Sequence, residues 1–360
     1  MTLLFLLGLL AAAITSVHAQ TWTDCNPTKQ SCAPDPAFGT SWTWNWSSNS
    51  ILDSTWNITN GAVDYTDNAM MFSIQKRLDS PTIRSNFYIF FGRIEYHVQA
   101  APGHGVISSV VLQSDDLDEV DWEWVGSESP QVQTNYFSKG QTVNGSAATF
   151  NISGSTTDDY HNYTTYWTKD KLEWWVDGHL LRTLNYEDAE GGTAYPQTPM
   201  TIRLGIWPGG DPSQPQGRIE WAGGVINYDD GPYNMYVQQV SVQDFSTGKE
   251  YVYSNRDGTY QSITIVPGNS TAAETLYKHH ESVAQKWANL PQGAKVGVYA
   301  AAAGAAGLGL AVLIFCCIKQ RRIGRREYNI QNNKFNEERT EMMNLQAQWR
   351  QKGYVEVRSS

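Results

Sequence analysis

The sequence predicts an all-β fold, a β-sandwich of jelly-roll type with a concave face, plus one C-terminal transmembrane helix. Three observations carry that prediction. Between Thr21 and about Thr264, short runs rich in Val, Ile, Tyr, Trp and Thr are broken by Gly, Asn, Asp and Pro, with no amphipathic helical period between them. Several of these runs alternate polar and apolar residues with a period of two, as strands with one buried face do. Residues 296–318 form an uncharged run, rich in Ala and Gly, that is long enough to cross the core of a bilayer. A single core is expected, because sandwiches of roughly 200–250 residues commonly fold as one domain.

In chain order, residues 1–19 read as a secretory leader. Residues 3–14 are apolar, and Val17-His18-Ala19 offers small side chains for cleavage, although no Lys or Arg precedes the apolar run. Cys25 and Cys32 can close a short loop in an oxidising compartment. Sequons at Asn45, Asn57, Asn144, Asn151, Asn162 and Asn269 all precede the membrane run, as N-glycosylation of an exported domain requires. Trp42, Trp44, Trp46 and Trp56 are expected in the sandwich core. Strands are expected over residues 91–100, 105–113, 119–125, 131–137, 162–168, 171–176, 200–207 and 235–244. Residues 20–269 thus form the folded domain and 270–295 a stalk, set off by Asn269-Ser270 and Pro291-Gln292-Gly293; His279 and His280 read as solvated stalk residues. After the span at 296–318 come Lys319, Arg321, Arg322, Arg325 and Arg326, a cluster that stays in the cytoplasm, so 319–360 is a cytoplasmic basic tail, expected to be disordered and carrying Tyr354 and Ser359. Cys316 and Cys317 lie at the inner membrane edge, as ordinary apolar residues or as acylation sites. The implied route is the secretory pathway to the plasma membrane, single-pass with the N-terminal domain outside.

Charge sorts the partners. Residues 319–360 carry a net +5, so the remainder of the total −10 is −15. An acidic outer domain argues against nucleic acid and fits a neutral polysaccharide. No cofactor motif or metal-ligand spacing stands out. Asp115, Asp116 and Asp118 precede a strand in a loop but lack a fuller oxygen-ligand spacing, so no metal is assigned. The sequence leaves the oligomeric state open.

The chemistry concentrates in Asp118-Glu119-Val120-Asp121-Trp122-Glu123-Trp124-Val125-Gly126. As a strand, this run puts Glu119, Asp121 and Glu123 on one face and Val120, Trp122 and Trp124 on the other. At about 3.3 Å per residue, side chains leaning over Asp121 bring the two Glu carboxyls to roughly 5–6 Å, the separation that a retaining glycosidase uses. Three acids on one strip raise the pKa of at least one, so that like side chains serve as nucleophile and acid. The alternatives are a solvated acidic strand face or a calcium-binding edge. The two Trp on the opposite face favour a strand that is buried from behind.

The Glu-x-Asp-x-Glu run resembles the catalytic strand of glycoside hydrolase family 16, in the variant without a β-bulge. SVVLQSDDLDEVDWEWVG, VQTNYFSKG, IRLGIWPGGD and RIEWAGG resemble the fungal Crh-type cell-wall transglycosylases more closely, from about Thr21 to Thr264. The resemblance implies Glu119 as nucleophile, Asp121 as assisting acid and Glu123 as general acid/base. It places the Gln133, Asn135 and Phe137 face of VQTNYF against the donor sugar, Trp207 in the cleft, and Trp221 on the acceptor side. Trp174 and Trp175 are adjacent on one strand and point to opposite faces, with Trp175 taken as the cleft residue. Arg84 and Arg203 receive no role.

The implied function is transglycosylation of the fungal wall, with a chitin donor and a β-glucan or chitin acceptor. A plain β-glucan endohydrolase of the same fold differs only in who wins the acceptor site, and a non-catalytic wall-binding membrane receptor is the rival from another class. Many Crh-type proteins are thought to end in a lipid-anchor signal. Here a polar tail follows the apolar run, so a retained helix is expected.

Overall fold

The computed structural model describes residues 22–47, 52–278, 287–288 and 290–353. The leader at 1–19, His279, His280, Tyr354 and Ser359 lie outside the described residues. The described chain divides into two units, one ending at Lys278 and the other beginning at His279.

The first unit is a sandwich of two antiparallel sheets. One sheet runs, in spatial order, Gln141–Thr142, Gln131–Ser138, Glu119–Val125, Ile107–Ser114, Met200–Trp207, Thr82–Ser85 and Trp56–Asn60, with Ala148–Asn151 also pairing with Gln131–Ser138. The other runs His179–Asn185, Lys171–Val176, His161–Trp167, Gly92–Gln99, Tyr233–Asp244, Met70–Ile74 and Asp64–Tyr65, with Ser41–Asn45 against Tyr233–Asp244. A small third sheet joins Asp35–Pro36, Glu250–Tyr253 and Ile263–Val266. All eight strands expected from alternation are present within two residues at either end, because each carries enough β-branched and aromatic residues to bury one face.

The layer between the sheets explains why the acidic run is a strand at all. Trp122 and Trp124 are buried, and both meet the Tyr163 ring edge-on, at 5.3 and 4.7 Å between centroids. Trp122 Nε1 donates to Thr165 Oγ1, and Trp174 Nε1 donates to the Asp121 carbonyl from the facing sheet. Each buried indole removes about 200 Å² from water. At roughly 25 cal/mol per Å² that is on the order of 5 kcal/mol per ring, enough to hold down a strand whose other face carries three acids. Trp44, Trp46 and Trp56 are also buried, as expected, whereas Trp42 is half-buried.

Two boundaries differ from the expectation. The segment read as the start of a stalk folds as a helix, Thr271–Tyr277, against the sandwich. Ser270 caps it by accepting from Ala273 N while its own hydroxyl donates to the Phe38 carbonyl. Tyr277 donates to the Ser41 carbonyl and packs edge-on to Trp42 at 5.3 Å. The Asn-Ser pair that reads as a break is thus a helix N-cap.

The second unit contains the helix Gln292–Gln351, which includes 296–318 and is long and apolar enough to cross a membrane. The tail expected to be disordered continues this helix to Gln351. Residues 319–351 contain no Pro and one Gly, and are rich in Arg, Gln and Glu, so nothing local interrupts helical hydrogen bonding. It ends where Gly353 takes a left-handed conformation at φ 81°.

Candidate active site

The outward face of the first sheet carries a groove of about 760 Å³, and Glu119, Asp121 and Glu123 all line it. Strand register fixes their neighbours. On one side Gln133, Asn135 and Phe137 stand opposite Glu123, Asp121 and Glu119; on the other stand Ser109, Val111 and Gln113. Glu119 and Asp121 are 6% and 3% exposed, whereas Glu123 keeps more contact with solvent.

Electrostatics separate the three acids. Burial pushes the Asp121 carboxyl well above the usual carboxylate range, and the charges of Glu119 and Glu123 push it further. Asp121 shares a hydrogen bond with Glu119, so a protonated Asp121 donates to it. Gln113, itself 1% exposed, donates from Nε2 to Glu119 Oε2 at 2.9 Å. Glu119 therefore receives two neutral donors, an arrangement that stabilises its anion. Burial raises Glu123 to about 8, Glu119 adds to the rise, and the Arg218 guanidinium opposes it. A carboxyl that holds its proton at neutral pH thus stands on the same strand face as one that accepts from two donors. Arg203, on Met200–Trp207, is attracted by Glu119 but lies against Arg84 in a buried setting that lowers its pKa, first by desolvation and then by that like charge.

The walls of the groove are braced from behind. Gln133, Asn135 and Phe137 all line it, while Thr134 and Tyr136 face the core. Asn135 Oδ1 accepts from Ser146 Oγ at 2.7 Å, which ties the loop 143–147 to the floor. Arg182, from the other sheet, donates to the Ser146 carbonyl at 2.6 Å and to Thr134 Oγ1, with its guanidinium over Tyr136 and Trp174. At the Glu123 end, Trp207 and Trp221 stack at 5.9 Å, and Trp221 Nε1 donates to Gln133 Oε1. The IWPGGD turn brings the two rings together: a Cβ on Gly210 would lie 2.1 Å from the Gly224 carbonyl oxygen, so only glycine permits the approach. Asp211 pins that turn, accepting from Arg77, Ser213 and Tyr228.

One assignment is corrected. Trp175 lies on the outward face of the second sheet, in a separate groove, because Lys171–Val176 belongs to that sheet; its neighbour Trp174 fills the core. Sequence reasoning also passed over the short helix Gln216–Trp221, which carries Arg218 and Trp221. Pro215 before it and Gly223-Gly224 after it mark its ends, but one turn and a half shows no periodicity. Gln113 was legible as the polar residue alternating with Val110 and Leu112 on the neighbouring strand.

Elsewhere, Cys25 and Cys32 form a disulfide and Cys316 and Cys317 are unpaired. Asn45, Asn57, Asn144, Asn151 and Asn269 are exposed and Asn162 is half-buried; Asn144 lines the groove rim. Asp118 accepts from Ser138, Lys139 N, Gln197 N and Thr198, and so anchors loops. Asp115 accepts from Tyr88 and Asp116 from Ser114 and Thr198. Among the described residues no cluster of His, Cys, Asp and Glu has the arrangement of a metal site.

With this geometry in place, similarity to known proteins is specific. Residues 52–223 match "Glycosyl hydrolases family 16". The chain is 50% identical to "Crh-like protein 3" of Aspergillus fumigatus, over 99% of this chain and 100% of that protein. A solved structure, "Apo Crh5 transglycosylase", superposes with a TM-score of 0.65 at 46% identity, covering 67% of this chain and 100% of that one. A second, "Crh5 transglycosylase in complex with NAG", matches at 45% identity and a TM-score of 0.65, covering 67% of this chain and 99% of that one. The chain therefore belongs to glycosyl hydrolase family 16, among its Crh-like members, and is a glycoside hydrolase or transglycosidase.

Proposed function

We propose that the groove performs retaining transglycosylation between wall polysaccharides, with chitin as donor and β-glucan or chitin as acceptor. The observation that carries this reading is the ordering of the three acids on one strand. Glu119 is served by Gln113 and Asp121, and Glu123 holds its proton up to about pH 8.

In the first step Glu119 attacks the anomeric carbon while Glu123 gives its proton to the leaving sugar oxygen. Esterification of Glu119 removes the negative charge that helps to hold the proton on Glu123. Glu123 then becomes more acidic and is ready to take the proton of an incoming hydroxyl. The stacked Trp207 and Trp221 at the Glu123 end offer flat apolar faces for an acceptor sugar, which favours a glycan over water at that position. The NAG complex of the related Crh5 transglycosylase supports chitin, whose unit is that sugar.

Incubation of the outer domain with a labelled chitooligosaccharide and an unlabelled glucan tests the reading. Label in products larger than the donor is expected; label only in smaller products would make the protein a hydrolase, and no change in either direction would leave a binding receptor. The first-step rate should fall as pH rises through about 8, as Glu123 loses its proton.

We also infer a retained membrane helix within Gln292–Gln351, with the basic cluster inside, because moving five Lys and Arg across a bilayer is strongly disfavoured. A C-terminal tag should remain with the mature protein and be protected from external protease. Release by a phospholipase that cuts lipid anchors would contradict this.

A further inference from the structure

The outward face of the second sheet carries its own groove, of about 440 Å³, floored by Tyr166, Glu173 and Trp175. Its indole is deliberately held. Trp175 Nε1 donates to Glu173 Oε2 at 3.2 Å, and Lys171 Nζ donates to Glu173 Oε1 at 2.5 Å. Glu173 is 6% exposed, so a buried carboxylate spends both oxygens beside Trp175, which is half-buried and lines the groove. Burying a charge is costly, and a bare solvated strand face gains nothing from it.

Sequence register supplies the occupant. Thr164 pairs directly with Trp175, so Asn162, two residues earlier on the same face, is its diagonal neighbour, about 7 Å away. Asn162, Tyr163 and Thr164 are a sequon, and Asn162 itself lines the groove. Its Nδ2 donates to Glu95 Oε2 at 3.3 Å, and Thr164 Oγ1 donates to its Oδ1. Of the six sequon asparagines it is the half-buried one.

We propose that Asn162 bears an N-linked glycan and that this groove is its seat, with the first N-acetylglucosamine laid on the Trp175 ring. The attachment uses an oligosaccharide carried on a polyprenyl pyrophosphate. Asn162 Nδ2 forms a bond to the anomeric carbon, the bond from that carbon to the pyrophosphate oxygen breaks, and one amide proton is released. The second amide hydrogen remains to donate to Glu95. Attachment precedes folding, and the closing sheet then places the sugar's C–H face over the indole. The inference rests on passage through the secretory pathway and not on the transfer chemistry proposed above.

The full-length protein, produced in a glycosylating fungal host, is treated natively and after denaturation with an endoglycosidase that cuts between the first two sugars, and each sequon peptide is read by mass spectrometry. The expected result is that Asn162 is occupied and its glycan is cut about tenfold more slowly in the native protein than glycans at exposed sequons, the protection that roughly 1.4 kcal/mol gives. Trp175→Ala should abolish that protection while Trp175→Tyr, which keeps a ring, retains it. Transglycosylation by the same samples reports folding independently. An unmodified Asn162, native cleavage as fast as at exposed sites, or protection unchanged in a folded Trp175→Ala would each overturn the proposal. If Trp175→Ala does not fold, the native-against-denatured comparison in the unsubstituted protein decides.

Discussion

Asp211 and the pair Asp121 and Glu123 are carboxyls around one groove, in opposite states. Asp211 is 2% exposed yet accepts from Arg77 Nε and Nη2, Ser213 and Tyr228, and these donors hold it well below the usual carboxylate range. Asp121 is as deeply buried but has one oxygen without a partner and a second acid beside it, and both it and Glu123 are pushed up. Burial alone therefore does not say what an acid is for. A carboxyl saturated with donors is a fastening, here for the turn that carries Trp207. One left short of donors among like charges is kept reactive at a cost to the fold.

The largest effect is expected from Glu119→Gln. It removes the nucleophile at nearly constant volume, so transfer and hydrolysis should both fall by about 10⁴-fold or more while unfolding stays cooperative. Near wild-type rates in a folded variant would take Glu119 out of the mechanism. Glu123→Ala comes next, with a loss of about 10²–10⁴-fold on ordinary glycans. An activated leaving group should restore the first step, and a small anion such as azide should then restore part of the turnover by taking the second; failure of both would argue against the acid/base role.

Stability should then move in opposite directions at the two sites. Asp211 has a depressed pKa, so its contribution is present above its ordinary value of 3.8 and fades as pH falls below it. Asp211→Asn should lower the melting temperature at pH 7 by roughly 5 °C, the loss of charge-assisted bonds worth about 1.5–3 kcal/mol. Glu123 has a raised pKa, so the fold is favoured by this group below 4.5 and loses that advantage as pH rises through about 8. Glu123→Gln should melt higher than wild type at pH 9 and no differently at pH 4. A lower melting point at pH 9 would remove the contrast between fastening and reactive acids. The smallest effect is expected from Arg182→Met, which frees the loop 143–147 from behind: a few-fold rise in KM for the donor with kcat nearly unchanged, read from initial rates.

What was legible in the sequence follows the range of the interactions. Alternation within Glu119–Val125 is local, and it alone placed three acids on one face and two indoles on the other. The same holds for Gln133, Asn135 and Phe137. Trp207 and Trp221 rested on motif resemblance, and the structure brings them together through a glycine turn that no periodicity reveals. Adjacency showed that Trp174 and Trp175 face opposite ways, but which sheet receives their strand is a long-range pairing, and the cleft assignment of Trp175 failed there. Ser270 looked like a break because a cap and a turn use the same residues. Arg182 acts across the sandwich and leaves no local signal.

The central claim, a covalent intermediate on Glu119, is tested most directly by trapping it. Glu123→Ala incubated with a chitooligosaccharide bearing an activated leaving group should complete the first step and stall at the second, since the base is gone. Intact-protein mass spectrometry should then show one added donor glycan, mapped by digestion to the peptide containing Glu119. Release of the leaving group with no adduct, as an attack by the substrate's own acetamido group would give, or an adduct on another residue, would contradict the account.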